Sequence, residues 1–389
     1  MNQISIIGGG IGGLVTALCF DKLKIPYKLY ERARSLEAVG AGIWLSPNAL
    51  QVLEWIDPNL LRDIQQSGNS FERILLTNHK LVPISSSNQR FVYNKFGYTT
   101  LAIHRGQLQK RLYNHSNQSN IILGKEFRGY NTLNDHTYEI EFTDSTSTTT
   151  HSIIAADGIN SKVRKQLFPE SQIRYSGQTC WRGISNFELP NNLSSTGFTL
   201  WGKKLQFGVS KVEEGKVYWF AVRQSEPNLQ DEKEGLKDKL IQMFVDYDPL
   251  VRQLISNTPS EKIIRGDLSE LKPLKKWNNG NICLLGDAAH SMTPDLGQGG
   301  AQAIEDAYYL SNFISNYPQH LSIAFNKFCT YRQPKVNALA KQSRTISKIA
   351  IVSKPIELLR NTILKYSPQK AIEKRMIDLY SIAKDSPKV

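Results

Sequence analysis

The sequence predicts an α/β protein: a parallel sheet wound with helices, interrupted by a second, mostly antiparallel sheet and closed by a helical tail. Three observations predict it. An apolar β-run at residues 3–7 enters the turn Gly8-Gly9-Gly10-Ile11-Gly12-Gly13, followed by helical apolar spacing over 14–23 and a strand at 27–30 ending on Glu31. Two further apolar runs of strand length, 153–156 and 282–285, each deliver an acid beside a glycine, Asp157-Gly158 and Gly286-Asp287. Between these runs, from 175 to about 264, aromatic and β-branched residues alternate with polar ones, as in Val217-Tyr218-Trp219-Phe220-Ala221-Val222. That period of two is the texture of an antiparallel sheet.

The remaining elements follow in chain order. Apolar spacing predicts a helix over 47–66, and residues 71–100 read as paired strands. His104-Arg105-Gly106-Gln107-Leu108 opens a helix to about 113. Threonine-rich turn chemistry from 142 precedes the strand 153–156, and a helix at 236–254 interrupts the antiparallel sheet. A helix over 300–314 follows the last strand, and the tail from 335 is helical with a break at Pro355.

At 389 residues the chain exceeds one compact core and suits two interleaved domains and a tail. The expected division is 1–74, 99–176 and 276–345 for the domain with the glycine turn, 75–98 and 177–275 for a substrate-binding sheet, and 346–389 for the tail. Hydrophobic content of 40% with 10% aromatics excludes a disordered chain. No run approaches the roughly 20 apolar residues that span a bilayer, and residues 4–7 read as strand rather than leader, so a cytoplasmic location is expected. Cys19, Cys180, Cys283 and Cys329 stand alone without a C-x-x-C, against a disulfide reductase or zinc ribbon. The seven histidines show no ligand spacing, so no metal is expected. Net charge is +13, and residues 335–389 hold twelve Lys and Arg against four acids. Such a tail suits nucleic acid, an anionic membrane surface or a merely solvated helix face. No nucleic-acid motif accompanies it, which leaves weak membrane-surface contact or solvation. The chain is expected to be a monomer or homodimer.

The chemistry begins at the glycine turn. Gly8 permits the bend, Gly10 lets the backbone approach a pyrophosphate, and Gly13 lets the helix pack on the strand with its N-terminus toward the phosphates. Glu31, 18 residues after Gly13, sits where a carboxylate bonds ribose hydroxyls, which favours FAD or NAD over NADP. Asp287 lies at the carboxyl end of a buried strand, where ligands of open α/β sheets sit. Residues 294–300, Pro294-Asp295-Leu296-Gly297-Gln298-Gly299-Gly300, lead into a helix whose free N–H groups suit an anion. An acid–glycine pair alone is also an ordinary turn.

Together, residues 8–13, Glu31-Arg32, Gly40-Ala41-Gly42-Ile43, His104-Arg105, Asp157-Gly158 with Ser161 and Arg164, Gly286-Asp287 and 294–300 resemble the class A (single-component) FAD-dependent monooxygenases. That family includes salicylate, urate and hydroxynicotinate hydroxylases and carotenoid epoxidases. The resemblance covers residues 1 to about 340 and implies a glutathione-reductase-type, Rossmann-like FAD domain. It implies that Gly8, Gly10, Ile11, Gly12, Gly13, Glu31, Arg32, Gly42, Ile43, Arg105, Asp157, Gly286, Asp287, Gly297 and Gly299 bind the cofactor. Arg105 would contact the pyrophosphate or ribityl region, Asp287 the ribityl chain, and Pro294 would lie beside the isoalloxazine. NADH or NADPH would be a transient reductant, since no second G-x-G-x-x-G occurs. O2 would yield a flavin C4a-hydroperoxide that oxygenates an aromatic or polycyclic substrate, or epoxidises a lipophilic alkene.

Substrate residues are expected on the inserted sheet. Arg182, Arg223 and Tyr218 join Pro294 as catalytic candidates, with Trp44, Trp201, Phe207 and Phe220 as pocket candidates and Trp181 beside them. Each aromatic is equally readable as sheet core, and each arginine as an edge charge. Two departures separate the chain from characterised specificities. Trp44 stands where hydroxynicotinate hydroxylases carry a His-type residue, and Lys203-Lys204 are all it offers near Leu205, where urate-type enzymes carry an arginine. An NAD-dependent dehydrogenase and a flavin-carrying protein without oxygenase activity are the readings from other classes.

Overall fold

The computed structural model describes residues 3–36, 41–134, 137–232 and 234–382. Its centre is strand Ile4–Ile7, buried at every position. Ser152–Ala155 and Tyr27–Glu31 flank it in parallel, with Ile7 opposite both Ala155 and Tyr30. Ile121–Leu123 adds outside Tyr27–Glu31 and Ile282–Leu284 outside Ser152–Ala155, both parallel, and the short Asn278–Asn279 closes the edge antiparallel. Strands covered on both faces are mostly apolar, which is why Ile4–Ile7, Ser152–Ala155 and Ile282–Leu284 read as short apolar runs apart from the buried Ser5 and Ser152. Helices Ile11–Leu23 and Gly299–Asn316 pack together on this sheet.

The inserted sheet has seven strands in the order Ile264–Leu271, Ile173–Asn186, Lys216–Gln224, Leu205–Glu213, Thr196–Gly202, Arg73–Asn78, Pro83–Asn88. All pairs are antiparallel except Thr196–Gly202 with Arg73–Asn78. Its back face buries Trp181, Phe198, Leu200, Phe207 and Trp219 under helices Leu236–Met243 and Pro249–Ser256. The other face carries Cys180, Tyr218, Phe220 and Val222.

Several expectations are corrected. The helix expected over 47–66 is two, Pro47–Ile56 and Pro58–Gln66, because Pro58 keeps Asp57 extended (φ −158°) and its carboxylate caps the Asn59 N–H at 2.8 Å. Residues 71–100 contain a hairpin and then a helix, Gln89–Phe96, capped by Asn88 and stopped by Gly97 at φ +79°. Pro249 likewise divides the helix expected at 236–254. A three-stranded antiparallel sheet, Phe127–Asn134, Thr137–Phe142 and Ser147–Thr150, has no counterpart among the expected elements. The tail begins earlier than expected, with Leu321–Ala350 a single 30-residue helix that accommodates Pro334. Pro355 starts the next helix, Lys354–Lys365, rather than breaking one, and Gln369–Tyr380 is the last helix among the described residues; 383–389 of the expected tail lie outside them.

Candidate active site

Strand register brings the motifs to one edge. Ile7 and Ala155 are opposite each other, and the Leu285 N–H donates to the Ala155 carbonyl, so Gly8, Asp157 and Gly286 emerge side by side at the carboxyl ends of their strands. Gly8 has φ +104°, and a Cβ there would lie 2.5 Å from the Ala156 carbonyl oxygen. A Cβ on Gly13 would overlap the Gly8 carbonyl. Both glycines are therefore required by the protein's own packing. Gly10 is different. It has ordinary φ (−71°), and a Cβ added to it would meet nothing within 4 Å, so its lack of a side chain keeps a surface open. Gly12 abuts Leu285 and Ile11 begins the helix, whose N-terminus has no side-chain cap.

Glu31 closes the turn from the next strand. One carboxylate oxygen accepts from the Gly9 N–H at 2.5 Å and the other from Ala33 N–H at 2.8 Å. Each oxygen keeps lone-pair capacity for a hydroxyl. Arg32 beside it is exposed, as is Arg105, whose backbone N–H bonds the Ala41 carbonyl and whose helix, Arg105–His115, is capped by the His104 ring. Gln109 on that helix donates to the Gly9 carbonyl at 2.7 Å. No motif announces Gln109, because a polar helix residue has no signature of its own.

Asp157 serves the protein first. Its Oδ2 accepts from Lys162 and Val163 N–H groups at 2.8 and 3.3 Å, and Ser161 caps Arg164 at 2.9 Å. Oδ1 is buried without a partner, and burial raises the carboxyl above its ordinary value. Buried Arg164 ties this turn to the next motif through the Ile159 carbonyl (2.5 Å) and the Ala288 carbonyl (3.0 Å). Asp287, by contrast, is exposed, its Oδ1 beside Gly299. Gly286 adopts φ +59° against Ala303.

The loop 293–298 leads to the helix Gly299–Asn316 without a side-chain cap on the helix, leaving its first N–H groups free. Gly297 has φ +62° with open space around it. Gln298, the residue where a cap would stand, instead hydrogen-bonds Ser46, Asn48 and Gln302. Ile43 fills the space where Gly300 would carry a side chain, 2.9 Å from that position, and Gly42 lies against the Tyr218 ring. Gly40 of this motif lies outside the described residues. Pro294 is exposed at the loop's tip.

The structure divides the sheet candidates by face. Tyr218 and Phe220 lie toward Gly42, their rings 6.1 Å apart, in the cluster that also holds Trp44, Phe71 and Ala41. Trp44 donates to Ser210 at 3.0 Å. Arg182 alternates with the back-face Trp181 and so shares the face of Cys180 and Tyr218, and no ion pair among the described residues includes it. Burial pushes the Tyr218 phenol up, against the opposing effect of Arg182. Two candidates are corrected. Phe207 stacks on Trp219 in the back core at 5.4 Å, and Arg223 lies over the back-face Trp181 ring at 5.5 Å. Trp201 is on the front but covered by the tail, where Arg360 lies 4.9 Å over its ring. Lys203 and Lys204 are exposed in a hairpin turn.

Asp295, inside the loop, stands out in the sequence only as part of the motif. Its Oδ2 is buried without a partner, and burial lifts the carboxyl to about 6 despite help from Thr293 and Ser347. Behind the loop runs a second unforeseen feature: buried Arg332 bonds Glu305 at 2.6 Å and Asp306 at 2.8 Å, and Asp306 also holds His290 at 2.5 Å and the Gly286 N–H at 3.1 Å. No His/Cys/Asp/Glu cluster suited to a metal occurs among the described residues.

The open flank of Gly10, the free helix N-termini and the exposed Arg105 and Asp287 suit a long phosphate-bearing dinucleotide such as FAD. Residues 1–317 match the family described as FAD binding domain. The chain is 33% identical over 346 residues to aurachin C monooxygenase/isomerase of Stigmatella aurantiaca, covering 89% of each. It is 32% identical over 327 residues to the chloroplastic zeaxanthin epoxidase of Capsicum annuum, covering 79% of this chain and 48% of the epoxidase, so it spans about half that protein's length. Among solved structures, Klebsiella pneumoniae HpxO complexed with FAD and uric acid shares the fold, with a TM-score of 0.88, 23% identity and 97% and 96% of the two chains covered. The chain thus belongs to the FAD binding domain family, among the FAD-dependent monooxygenases of the class A aromatic-hydroxylase kind.

Proposed function

We propose that this FAD-dependent monooxygenase consumes NADH or NADPH and inserts one atom of O2 into an aromatic or polycyclic small molecule bearing an ionised or strongly polarised ring substituent. The observation that carries the reading is Arg182. It is set among Cys180, Tyr218 and Phe220 on the sheet face turned toward Gly42, with no carboxylate partner among the described residues. Arg182 is half-buried, and a partly desolvated guanidinium gains from a negative partner; here that group would come with the ligand. Tyr218, Phe220, Ile43 and Trp44 supply flat apolar walls for a ring.

Bound FAD would supply hydride acceptance and O2 activation. Gly8, Gly10 and the uncapped helix at Ile11 would hold the phosphates, Glu31 the ribose, and Asp287 a hydroxyl of the connecting chain. The uncapped N-terminus at Gly299 offers positive potential to negative charge on the ring system. Arg182 and Tyr218 orient the substrate, and the front-face aromatics exclude water. NAD(P)H would visit rather than reside, because the chain has one glycine-rich dinucleotide turn. Epoxidation of an apolar alkene is the second reading, supported by the 32% identity to zeaxanthin epoxidase; Arg182 favours the polar ring.

The test is a panel of phenols, heteroaromatic enols, aromatic acids and a carotenoid, with NAD(P)H consumption and ¹⁸O2 incorporation measured on the FAD-loaded protein. A ring substrate should accelerate NAD(P)H oxidation and gain one labelled oxygen. Arg182→Gln should raise KM for the anionic substrate at least tenfold, with a smaller change in kcat. Product without label would leave an oxidase or reductase, and acceleration by no ligand would leave a flavin-carrying protein.

A further inference from the structure

Helix Lys354–Lys365 is mounted the wrong way round for a soluble protein. Its polar side faces inward: Arg360 is 5% exposed, lies 4.9 Å over the Trp201 ring, and donates to the Ile349 and Ala350 carbonyls at 3.1 and 2.9 Å. Glu357, one turn before, is half-buried beside it, 3.9 Å from the guanidinium. The outward side is apolar. Ile356 is 54% exposed, Leu358 72%, Leu359 62%, Ile363 60% and Tyr366, just past the helix, 74%. Ile356, Leu359, Ile363 and Tyr366 follow the i, i+3, i+4 spacing of one stripe over nearly three turns. A solvated helix buries its apolar stripe and exposes its charges, so this arrangement requires a second apolar phase outside the protein.

The charges around the stripe say what that phase is. Residues 335–389 hold twelve Lys and Arg against four acids. Lys341 and Lys348 are exposed and Arg344 half-buried along the preceding helix, while Lys365, Lys370, Lys374 and Arg375 are exposed after the stripe. An apolar stripe with an aromatic end and a basic surround is the composition that settles into the headgroup boundary of an anionic bilayer. No helix among the described residues is long and apolar enough to cross a membrane, which fits a helix that lies in the interface plane. The stripe's inner side also rests on the substrate sheet, through Leu364 against the cluster of Trp201, Cys180 and Val222.

We propose that helix Lys354–Lys365 docks this protein onto an anionic membrane surface, its Ile356–Leu359–Ile363–Tyr366 stripe entering the acyl boundary and the neighbouring lysines and arginines meeting lipid phosphates. Docking places the sheet that carries Arg182 next to the lipid, so an amphiphilic substrate can pass from bilayer to site. This last step rests on the proposed oxygenase reading; the docking does not.

The test is co-sedimentation of the full-length, FAD-loaded protein with vesicles of neutral phosphatidylcholine and of phosphatidylcholine with phosphatidylglycerol. Wild type should bind the anionic vesicles at least tenfold more tightly than the neutral ones, and 0.5 M salt should weaken that binding. The triple variant Ile356→Ser, Leu359→Ser, Ile363→Ser should lose at least tenfold in anionic-vesicle affinity while keeping FAD content and circular dichroism, since these side chains are mostly exposed. Wild type left in the supernatant, or a variant that binds as well as wild type, overturns the proposal. So does a light-scattering dimer that the triple variant converts to monomer without a change in lipid binding, because a second copy would then cover the stripe. Because vesicle binding needs no turnover, docking can succeed while oxygen insertion fails, and the reverse.

Discussion

Gly10 and Gly13 lie in one turn yet obey different constraints, and substitution separates them. Gly13→Val should abolish soluble expression or cost several kcal/mol, since its side chain would overlap the Gly8 carbonyl. Gly10→Val should fold within about 1 kcal/mol of wild-type apo-protein, yet emerge colourless, because its side chain fills only space that a pyrophosphate would occupy. Chemical denaturation of both apo-proteins, with the FAD content of each preparation, checks the pair. Asp295 gives a pH signature. Its folded carboxyl titrates near 6 against 3.8 for the ordinary group, so the buried charge weakens the fold progressively as pH rises from about 4 to 6 and by a constant amount above. Asp295→Asn should then stabilise the apo-protein by up to about 3 kcal/mol at pH 7.5 and by nothing at pH 4 in urea unfolding. A pH-independent difference would assign the effect to packing instead. The residue-scale errors in reading the sequence have one cause: alternation along a strand gives two faces but no sign. Arg182 and Arg223 look alike in sequence, and only the helices covering Trp181 and Trp219 decide that the first shares the face turned toward Gly42 and the second does not.

At the scale of elements, what is legible in the sequence is what local geometry encodes. The turn 8–13, the acid at Glu31 and the strand ahead of Asp287 are short-range patterns, and each sits where its pattern requires. Helix Gln89–Phe96 reads as strand because Phe91, Val92 and Tyr93 have β character, although Asn88 and Gly97 mark a helix start and stop. The ionic cluster behind the loop 293–298 is invisible for another reason: it joins Asn48, Glu305 and Arg332, which no sequence spacing relates. That cluster anchors the helix Gly299–Asn316 to Leu321–Ala350. Burial alone would raise the Asp306 carboxyl, but His290 and Arg332 overcome it and hold the group down to about 2. Arg332→Met removes the guanidinium that bridges Glu305 and Asp306, leaving the first to Lys335 and the second to His290, and should cost about 3 kcal/mol at pH 7. The loss should shrink as pH falls from about 4 toward 2, where wild type surrenders the same stabilisation. Urea titrations of wild type and variant across that range measure both statements.

At the scale of the whole molecule, the segments proposed to hold the cofactor come from positions nearly 300 residues apart, Gly8 to Gly300, and meet only because the parallel sheet brings their strand ends together. A ligand that touches all of them is a tie between the first and last parts of the FAD-binding domain, and should stabilise the fold by RT ln(1 + [L]/Kd). Asp287 isolates that linkage. It is exposed at a strand end, facing Gly299, and its side chain ties down no other segment among the described residues. Asp287→Ala should therefore leave the apo-protein's unfolding free energy unchanged within about 0.5 kcal/mol, while reducing the increment that FAD adds. Each tenfold loss of FAD affinity should remove about 1.4 kcal/mol of that increment at saturating cofactor. Gly286, by contrast, sits at φ +59° against Ala303, and its substitution should lower apo and holo stability together. Differential scanning calorimetry of apo and FAD-loaded forms of both variants distinguishes the cases: an Asp287→Ala apo-protein that melts as far below wild type as its holo form would make this carboxylate a structural group and not a cofactor ligand.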